Sequence, residues 1–239
     1  MAEQEIGTVA ALWRYPVKSM RGEALQSAEL RWTGLNGDRQ YAFYRAADRS
    51  RFPWLTGRTV PDLVNYVPRY DDPADPRKSA LRVTAPDGAD FDVADETLRR
   101  RLSDIARDDI RLIQVGRGTF DSGSVSVIAT ATEAKLDHAF GAPLGTRRFR
   151  PNIVIRSDTA ETDWLGATLV FGDRPDSARL RLNRPIERCS FITIDPDTAA
   201  KEPRVLNMVV QYFKNEVGTY GATEAAGTIL VGDRVRLIR

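Results

Sequence analysis

Two residue types are almost missing. The 239-residue chain has one cysteine, Cys189, and one histidine, His138. One cysteine cannot close an internal disulfide, build a zinc knuckle or supply the four thiolates of an iron–sulfur cluster. One histidine excludes the paired-histidine zinc sites of metalloproteases. No run approaches the roughly 20 apolar residues that cross a bilayer. The opening Met1-Ala2-Glu3-Gln4-Glu5 lacks the basic-then-apolar layout of a secretion signal. These absences lead to the expectation of a cytoplasmic protein with no membrane partner. A strong net charge is also lacking: 35 Lys and Arg face 33 Asp and Glu, leaving +2. That balance argues against a nucleic-acid partner. Lysine is scarce, with five lysines against 30 arginines. Arginine favours fork-like recognition of phosphate and carboxylate, although it serves equally as plain surface charge.

Length allows one to two domains and a sizeable core. Short β-like runs dominate, at 6–14, 25–32, 40–45, 63–70, 80–84, 110–115, 125–128, 152–155, 168–171 and 178–182. Asn36-Gly37 is the strongest hairpin signal. Asp95 can cap a helix over 96–106, with Leu98 and Leu102 four apart. Thr130-Ala131-Thr132-Glu133 has the capping-box spacing and opens a helix to about 140, which carries His138 as a surface residue. The spacing of Leu206, Val209, Val210 and Phe213 predicts a third helix. Residues 228–231 and 234–238, joined by Gly232-Asp233, read as a closing hairpin. Many short strands with few helices suggest barrels, so the fold class is β-rich, mixed α+β. We expect two domains, 1–95 and 96–239, with the boundary between Asp92 and Ser124.

Few segments carry chemistry by themselves. Gly116-Arg117-Gly118 begins like a dinucleotide loop but lacks the following helix and the alternating strand–helix pattern. Asp195-Pro196-Asp197 has hard-cation ligands, but calcium needs six or more oxygens, which favours a Pro-containing turn. Cys189 follows Arg188, and a cationic neighbour favours the thiolate, both a nucleophile and a soft metal ligand. A lone cysteine also serves simply as a packing residue. Three basic segments flank strands: Tyr15-Pro16-Val17-Lys18-Ser19, Gly37-Asp38-Arg39 and Arg147-Arg148-Phe149-Arg150-Pro151-Asn152. Donors on such loops can converge on one anion.

These segments, in this order, resemble one family. Tyr15 to Ser19 with Gly34-Leu35-Asn36-Gly37-Asp38-Arg39 looks like the N-terminal β-barrel domain attached to MOSC proteins. Arg148 to Ile153, then Arg188-Cys189 and Thr193-Ile194-Asp195-Pro196-Asp197-Thr198, looks like the MOSC domain itself. Tyr220-Gly221, Gly227-Thr228-Ile229 and Val231-Gly232-Asp233 match its closing pattern. In layout the chain is similar to the mitochondrial amidoxime-reducing component and to YcbX-like proteins. It departs from them at Met20, where several relatives have Cys, and at Ala199, where they often have Gly. Its length and single cysteine lead to the expectation of no ferredoxin-like domain, and its opening residues to the expectation of no membrane anchor.

The resemblance implies a MOSC β-barrel, an N-terminal β-barrel-like domain, and a molybdenum cofactor (Mo-molybdopterin) between them. It implies Cys189 as metal ligand and catalytic residue. It places Lys18, Ser19, Arg39, Arg58, Arg150, Asn152 and Arg188 around the cofactor, with Thr130 and Thr132 contributing hydroxyls at a helix start. The implied activity is reduction of N-hydroxylated small molecules, such as hydroxylamines and amidoximes. A separate flavin or iron–sulfur protein would donate the electrons. A carrier of molybdenum cofactor, or of sulfur as a Cys189 persulfide, is the alternative.

Overall fold

Buried and exposed residues alternate along 179–182: Leu180 and Leu182 are buried while Arg179 and Arg181 face water. That period of two is the signature of a strand with one face on a core. The computed structural model describes residues 3–239. The first half holds β1 (Glu3–Arg14), β2 (Glu23–Leu25), β3 (Ser27–Arg31), β4 (Gly34–Leu35), β5 (Tyr41–Arg45), β6 (Val67–Tyr70), β7 (Leu81–Thr84), β8 (Asp90–Asp92), α1 (Glu96–Ala106) and β9 (Ile110–Gln114). The second half holds β10 (Val125–Ala129), α2 (Thr130–Phe140), β11 (Ile153–Arg156), β12 (Thr168–Phe171), β13 (Arg179–Glu187), α3 (Arg204–Phe213), β14 (Glu216–Ala225), β15 (Gly227–Leu230) and β16 (Arg234–Ile238).

Seven strands close a barrel in the order β11-β10-β14-β13-β12-β16-β1, with β1 pairing back onto β11. The β10–β11 pair is parallel and the other barrel pairs are antiparallel. At this strand number the interior is filled by side chains. Val125, Val127 and Ala129 of β10, Ile153 and Ile155 of β11, and Val235 and Leu237 of β16 are part of that core. The outward residues of β10 have separate tasks. Ile128 packs beneath α2 and α3, whereas Ser126 turns to a polar network described below. The fold is thus β-rich with three short helices among the described residues.

The first half forms its own core around Val17, Met20, Phe43, Leu63, Tyr66, Leu98 and Ile110. Small sheets β5-β9 and β6-β7-β8 frame it. The segment after β1 is tied into it, because Lys18 N donates to Tyr41 O at 2.8 Å and Tyr41 N to Pro16 O at 3.1 Å. The two halves interlock: β1 is a barrel stave, and β15 pairs with β3.

The helices start where the sequence signals place them, with one different mechanism. Asp95 accepts from Thr97 N at 2.6 Å and caps α1. The capping box of α2 does not form. Ala129 occupies the cap position, Thr130 Oγ1 exchanges hydrogen bonds with the Ser157 backbone, and Glu133 accepts from Thr146 N. Longer-range partners outcompete the local box. The 63–70 run also splits. Pro61, whose fixed φ suits a first helical position, starts a 3-10 turn over Pro61–Asn65, and the strand begins at Val67. Likewise 25–32 breaks at Gln26 into β2 and β3, which serve different sheets. Asn36-Gly37 forms a tight turn, with Gly37 at φ +82°, but it joins β4 to β5 in separate sheets rather than a hairpin. The closing hairpin is absent for the same reason: β15 joins β3, while β16 joins β1 and β12. His138 is exposed on α2.

A buried carboxylate braces one end of the barrel. Glu161 is fully buried and accepts from Ala129 N at 2.9 Å, Gly218 N at 2.8 Å and the Thr132 hydroxyl. It joins β10, α2 and β14 without a cationic partner. Glu161→Leu strands two backbone N–H donors, each costing roughly 1–3 kcal/mol. The expected loss is about 3 kcal/mol in urea unfolding, and a loss below about 1 kcal/mol rejects the bracing role.

Candidate functional site

The two halves enclose a cavity of about 630 Å³, within the size range of small-molecule and cofactor sites. Eight of the ten residues chosen from the sequence line it: Lys18, Ser19, Arg39, Arg58, Arg150, Asn152, Arg188 and Cys189. Thr130 and Thr132 do not. Their hydroxyls are committed to Ser157 and Glu161. That disposition removes them from the cavity set.

Local backbone explains the convergence. Ser19, Arg39 and Arg150 all adopt left-handed conformations, at φ 67°, 49° and 53°. Each costs a non-glycine residue roughly 1–2 kcal/mol, and such strain persists only where surrounding contacts over-determine it. Here they do. Arg39 N donates to Tyr15 O at 2.7 Å, and Arg150 N closes a turn onto Arg147 O at 3.0 Å. Asn152 Oδ1 accepts from Ser126 N and Oγ at 3.1 and 3.0 Å, locking β10 to the start of β11.

Tyr15 organises the cations. Its ring lies 4.7 Å from the Arg39 guanidinium and 4.1 Å from that of Arg150. Its hydroxyl donates to Pro151 O at 3.1 Å, and burial pushes the phenol up to about 12. Asp38, with no exposed side chain, pairs with Arg39 and accepts from Tyr15 N at 2.7 Å. Burial alone would lower the Arg39 pKa, but the Asp38 charge outweighs it and lifts the group above its ordinary value. Arg150 has no carboxylate partner. Burial brings it down to about 10, still cationic at neutral pH, and its Nη1 donates to Met20 O at 2.8 Å. Its Nη2 is buried without a hydrogen-bond partner. Lys18, also lowered by burial, donates to Thr119 O at 3.0 Å and to Asp121 at 2.6 Å.

Cys189 lines the same cavity, exposed and free. It follows β13, whose register against β14 shifts between Leu182 and Arg184 and again between Pro185 and Glu187. Bulges of this kind re-aim side chains beside sites. After it comes a 3-10 turn, Ser190–Thr193. Arg188 spends its guanidinium on main-chain carbonyls, giving bonds to Phe149 O at 2.9 Å and twice to Val217 O. It therefore fixes the segment that carries Cys189. Burial lowers Arg188 to about 10.

Other lining residues carried no sequence signal. Asp121, Phe120 and Ser122 come from the linker before β10, and Arg184 and Tyr220 from β13 and β14. Tyr15 and Asp38 lay inside segments singled out for their basic residues, yet their roles depend on contacts at long range. Asp195 makes the predicted turn, accepting from Asp197 N and Thr198 N at 3.0 Å and from Arg148 at 3.0 Å. No group of three or more metal-ligating side chains occurs among the described residues. No helix there is long and apolar enough to cross a membrane.

Residues 118–236 match the MOSC domain family and residues 6–117 the MOSC N-terminal beta barrel domain. The chain therefore belongs to the MOSC family, a domain class associated with molybdenum-cofactor binding. It is 24% identical to mitochondrial amidoxime reducing component 2 of Bos taurus, across 97% of this chain and 83% of that protein. It is 26% identical to mitochondrial amidoxime-reducing component 1 of Homo sapiens, across 98% and 84%. In structure it resembles the YUAD protein of Bacillus subtilis, with a TM-score of 0.54, 12% identity, and 99% and 97% coverage.

Two predictions follow from the cation network. Asp38→Asn leaves Arg39 buried without its counter-charge, and breaking such a pair costs about 3 kcal/mol or more. Urea unfolding at pH 7 measures this, and a loss under about 1 kcal/mol contradicts it. The second concerns Asp195. Burial raises its carboxyl, but the Asp197 and Thr198 amides, the Thr198 hydroxyl and the Arg148 charge outweigh it and hold it below the ordinary range. Its stabilising share is present above the unfolded value near 4 and is lost as pH falls through the folded one. Asp195→Asn should thus be less stable than the parent at pH 7, with the gap closing below about pH 4. A gap unchanged at pH 3 refutes the assignment.

Proposed function

We propose that the protein is a molybdenum-cofactor-dependent reductase of N-hydroxylated compounds. The observation that carries this reading is the convergence of one free thiol and a wall of buried cations on a single cavity between the two halves. The residues suit the cofactor. Cys189 offers a soft thiolate for a metal already bound to sulfur. Lys18, Arg39, Arg58 and Arg150 surround the same space, and the unpartnered Arg150 Nη2 is a donor that an anionic pterin phosphate satisfies.

When bound, the cofactor supplies the two-electron redox chemistry that cleaves an N–O bond. The protein's own residues do the rest. Arg188 holds the Cys189 segment through Phe149 O and Val217 O, so the thiol is presented without a search over loop conformations. Tyr15 and Asp38 keep Arg39 and Arg150 oriented before any ligand arrives. Phe120, Phe149 and Ile192 line the cavity and limit water. Each turnover consumes two electrons and two protons and releases the amine and water. With a single cysteine there is no iron–sulfur relay within these 239 residues. A separate flavin or iron–sulfur protein therefore delivers the electrons.

The test uses protein from a host that loads a control molybdoenzyme. Metal analysis should find molybdenum near one per chain, and reduced viologen should drive reduction of an N-hydroxylated amidine. Cys189→Ala should cut turnover more than about 100-fold, beyond the range typical of outer-shell partners. Molybdenum-free protein carrying one extra sulfur on Cys189 overturns the reductase and supports the sulfur-carrier alternative.

A further inference from the structure

A second groove, of about 550 Å³, lies on the other side of the Asp38–Arg39 pair, since Asp38 lines it and Arg39 lines the central cavity. The function proposed above makes no use of it. Trp32, on the turn between β3 and β4, contributes an indole that is 71% exposed, the most exposed large apolar side chain among the described residues. An uncovered indole of this kind is costly to display and suited to stacking.

Beside it, Asn36 is only 8% exposed, yet its Oδ1 has no hydrogen-bond partner. Its amide nitrogen donates to Glu29 Oε2 at 3.0 Å, and Arg31 Nη2 donates to the same oxygen at 2.8 Å. Glu29 thereby fixes the Asn36 amide with its acceptor free. A buried acceptor left unpaired is a standing cost that a ligand N–H removes.

The charge of the groove points to an anion. Its two carboxylates are already spoken for, Glu29 by Arg31 and Asp38 by Arg39. Arg77 and Arg117 also line the groove, and among the described residues neither has an ion-pair partner. Glycines flank Arg117, and Gly118 takes φ +83°, so the main chain turns tightly at that guanidinium. This segment begins like a dinucleotide loop in sequence and is no part of a strand–helix phosphate turn here, yet it lines a groove with the chemistry such ligands need.

We propose that this groove is a nucleotide site. It takes a planar heterocycle that stacks on Trp32 and donates to Asn36 Oδ1, joined to a phosphate recognised by Arg77 and Arg117. Aromatic stacking combined with guanidinium–phosphate contact is the general means of holding such a ligand. The nucleotide is either free or part of a larger cofactor, and the experiment separates the two.

Calorimetric titration of the dialysed protein with AMP, CMP and FMN, against inorganic phosphate alone, reads the site. Free nucleotide binding appears as saturable heat at least tenfold tighter than phosphate. A nucleotide held as part of a larger cofactor appears instead as one equivalent released on acid denaturation of the protein as isolated. Trp32→Ala and Arg117→Gln should each weaken binding, or deplete the released nucleotide, by about tenfold or more. Trp32 is exposed and neither residue lines the central cavity, so circular dichroism should be unchanged. The proposal falls if no nucleotide binds at millimolar concentration and none is released. It falls equally if both variants bind as the parent does.

Discussion

Everything at the centre of this molecule depends on keeping guanidinium groups out of water and close together. Arg39, Arg150 and Arg188 share one cavity, and burial, with the Arg39 charge adding to it, brings the last two down to about 10. Paired carboxylates would neutralise them but would also close the site to an anion. The fold uses one carboxylate, Asp38, and otherwise meets the charges with a ring and with main-chain oxygens. Tyr15 faces Arg39 and Arg150, Phe149 and Val217 carbonyls take Arg188, and the Met20 carbonyl takes Arg150. Carbonyl dipoles and an aromatic quadrupole stabilise a cation without cancelling it. The wall therefore keeps its positive potential for a ligand.

Carbonyls are freest to serve this way where pairing is interrupted: Met20 and Phe149 lie outside the strands, and Val217 sits where the β13–β14 register shifts. That requirement explains the strained turns at Ser19, Arg39 and Arg150, and it explains why the site sits where β1 leaves the barrel. β1 pairs with β16 at the opposite end of the chain, so the barrel closes only after almost every residue is available. Long-range closure of this kind slows folding. In exchange, Tyr15 emerges from a stave anchored on both sides, by β11 and β16, and does not move independently of Asn152 or Arg150.

What could be read from the sequence divides along the same line. Helices α1 and α3 and most strand segments followed from local spacing. The site residues came as segments whose order resembled a known family, and eight of them meet in one cavity. The failures share a cause. Asn36-Gly37 and Gly232-Asp233 are tight turns, yet the strands they join belong to different sheets, because partners far along the chain compete for each strand. The Thr130 hydroxyl is drawn to Ser157 and the Thr132 hydroxyl to Glu161, and neither distant partner has a local signature. Asp121 reaches Lys18 across 103 positions, which no spacing rule anticipates.

The overall charge of +2 conceals a strongly uneven distribution. Most surface arginines are matched by carboxylates, in pairs such as Arg69–Asp90, Arg99–Glu96 and Arg204–Glu202. Those exposed pairs contribute little stability, but they cancel the field over most of the surface. Among the guanidiniums without a carboxylate partner, those of Arg58 and Arg150 line one hollow and those of Arg77 and Arg117 the other, with the Asp38–Arg39 pair contributing to both. A thin wall carrying its own neutralised charge separates two regions of positive potential, so an anion on one side feels the other through low-dielectric protein. Occupancy of either hollow should therefore weaken occupancy of the other, because two bound anions repel across the shared wall and each cancels part of the positive field that draws the other.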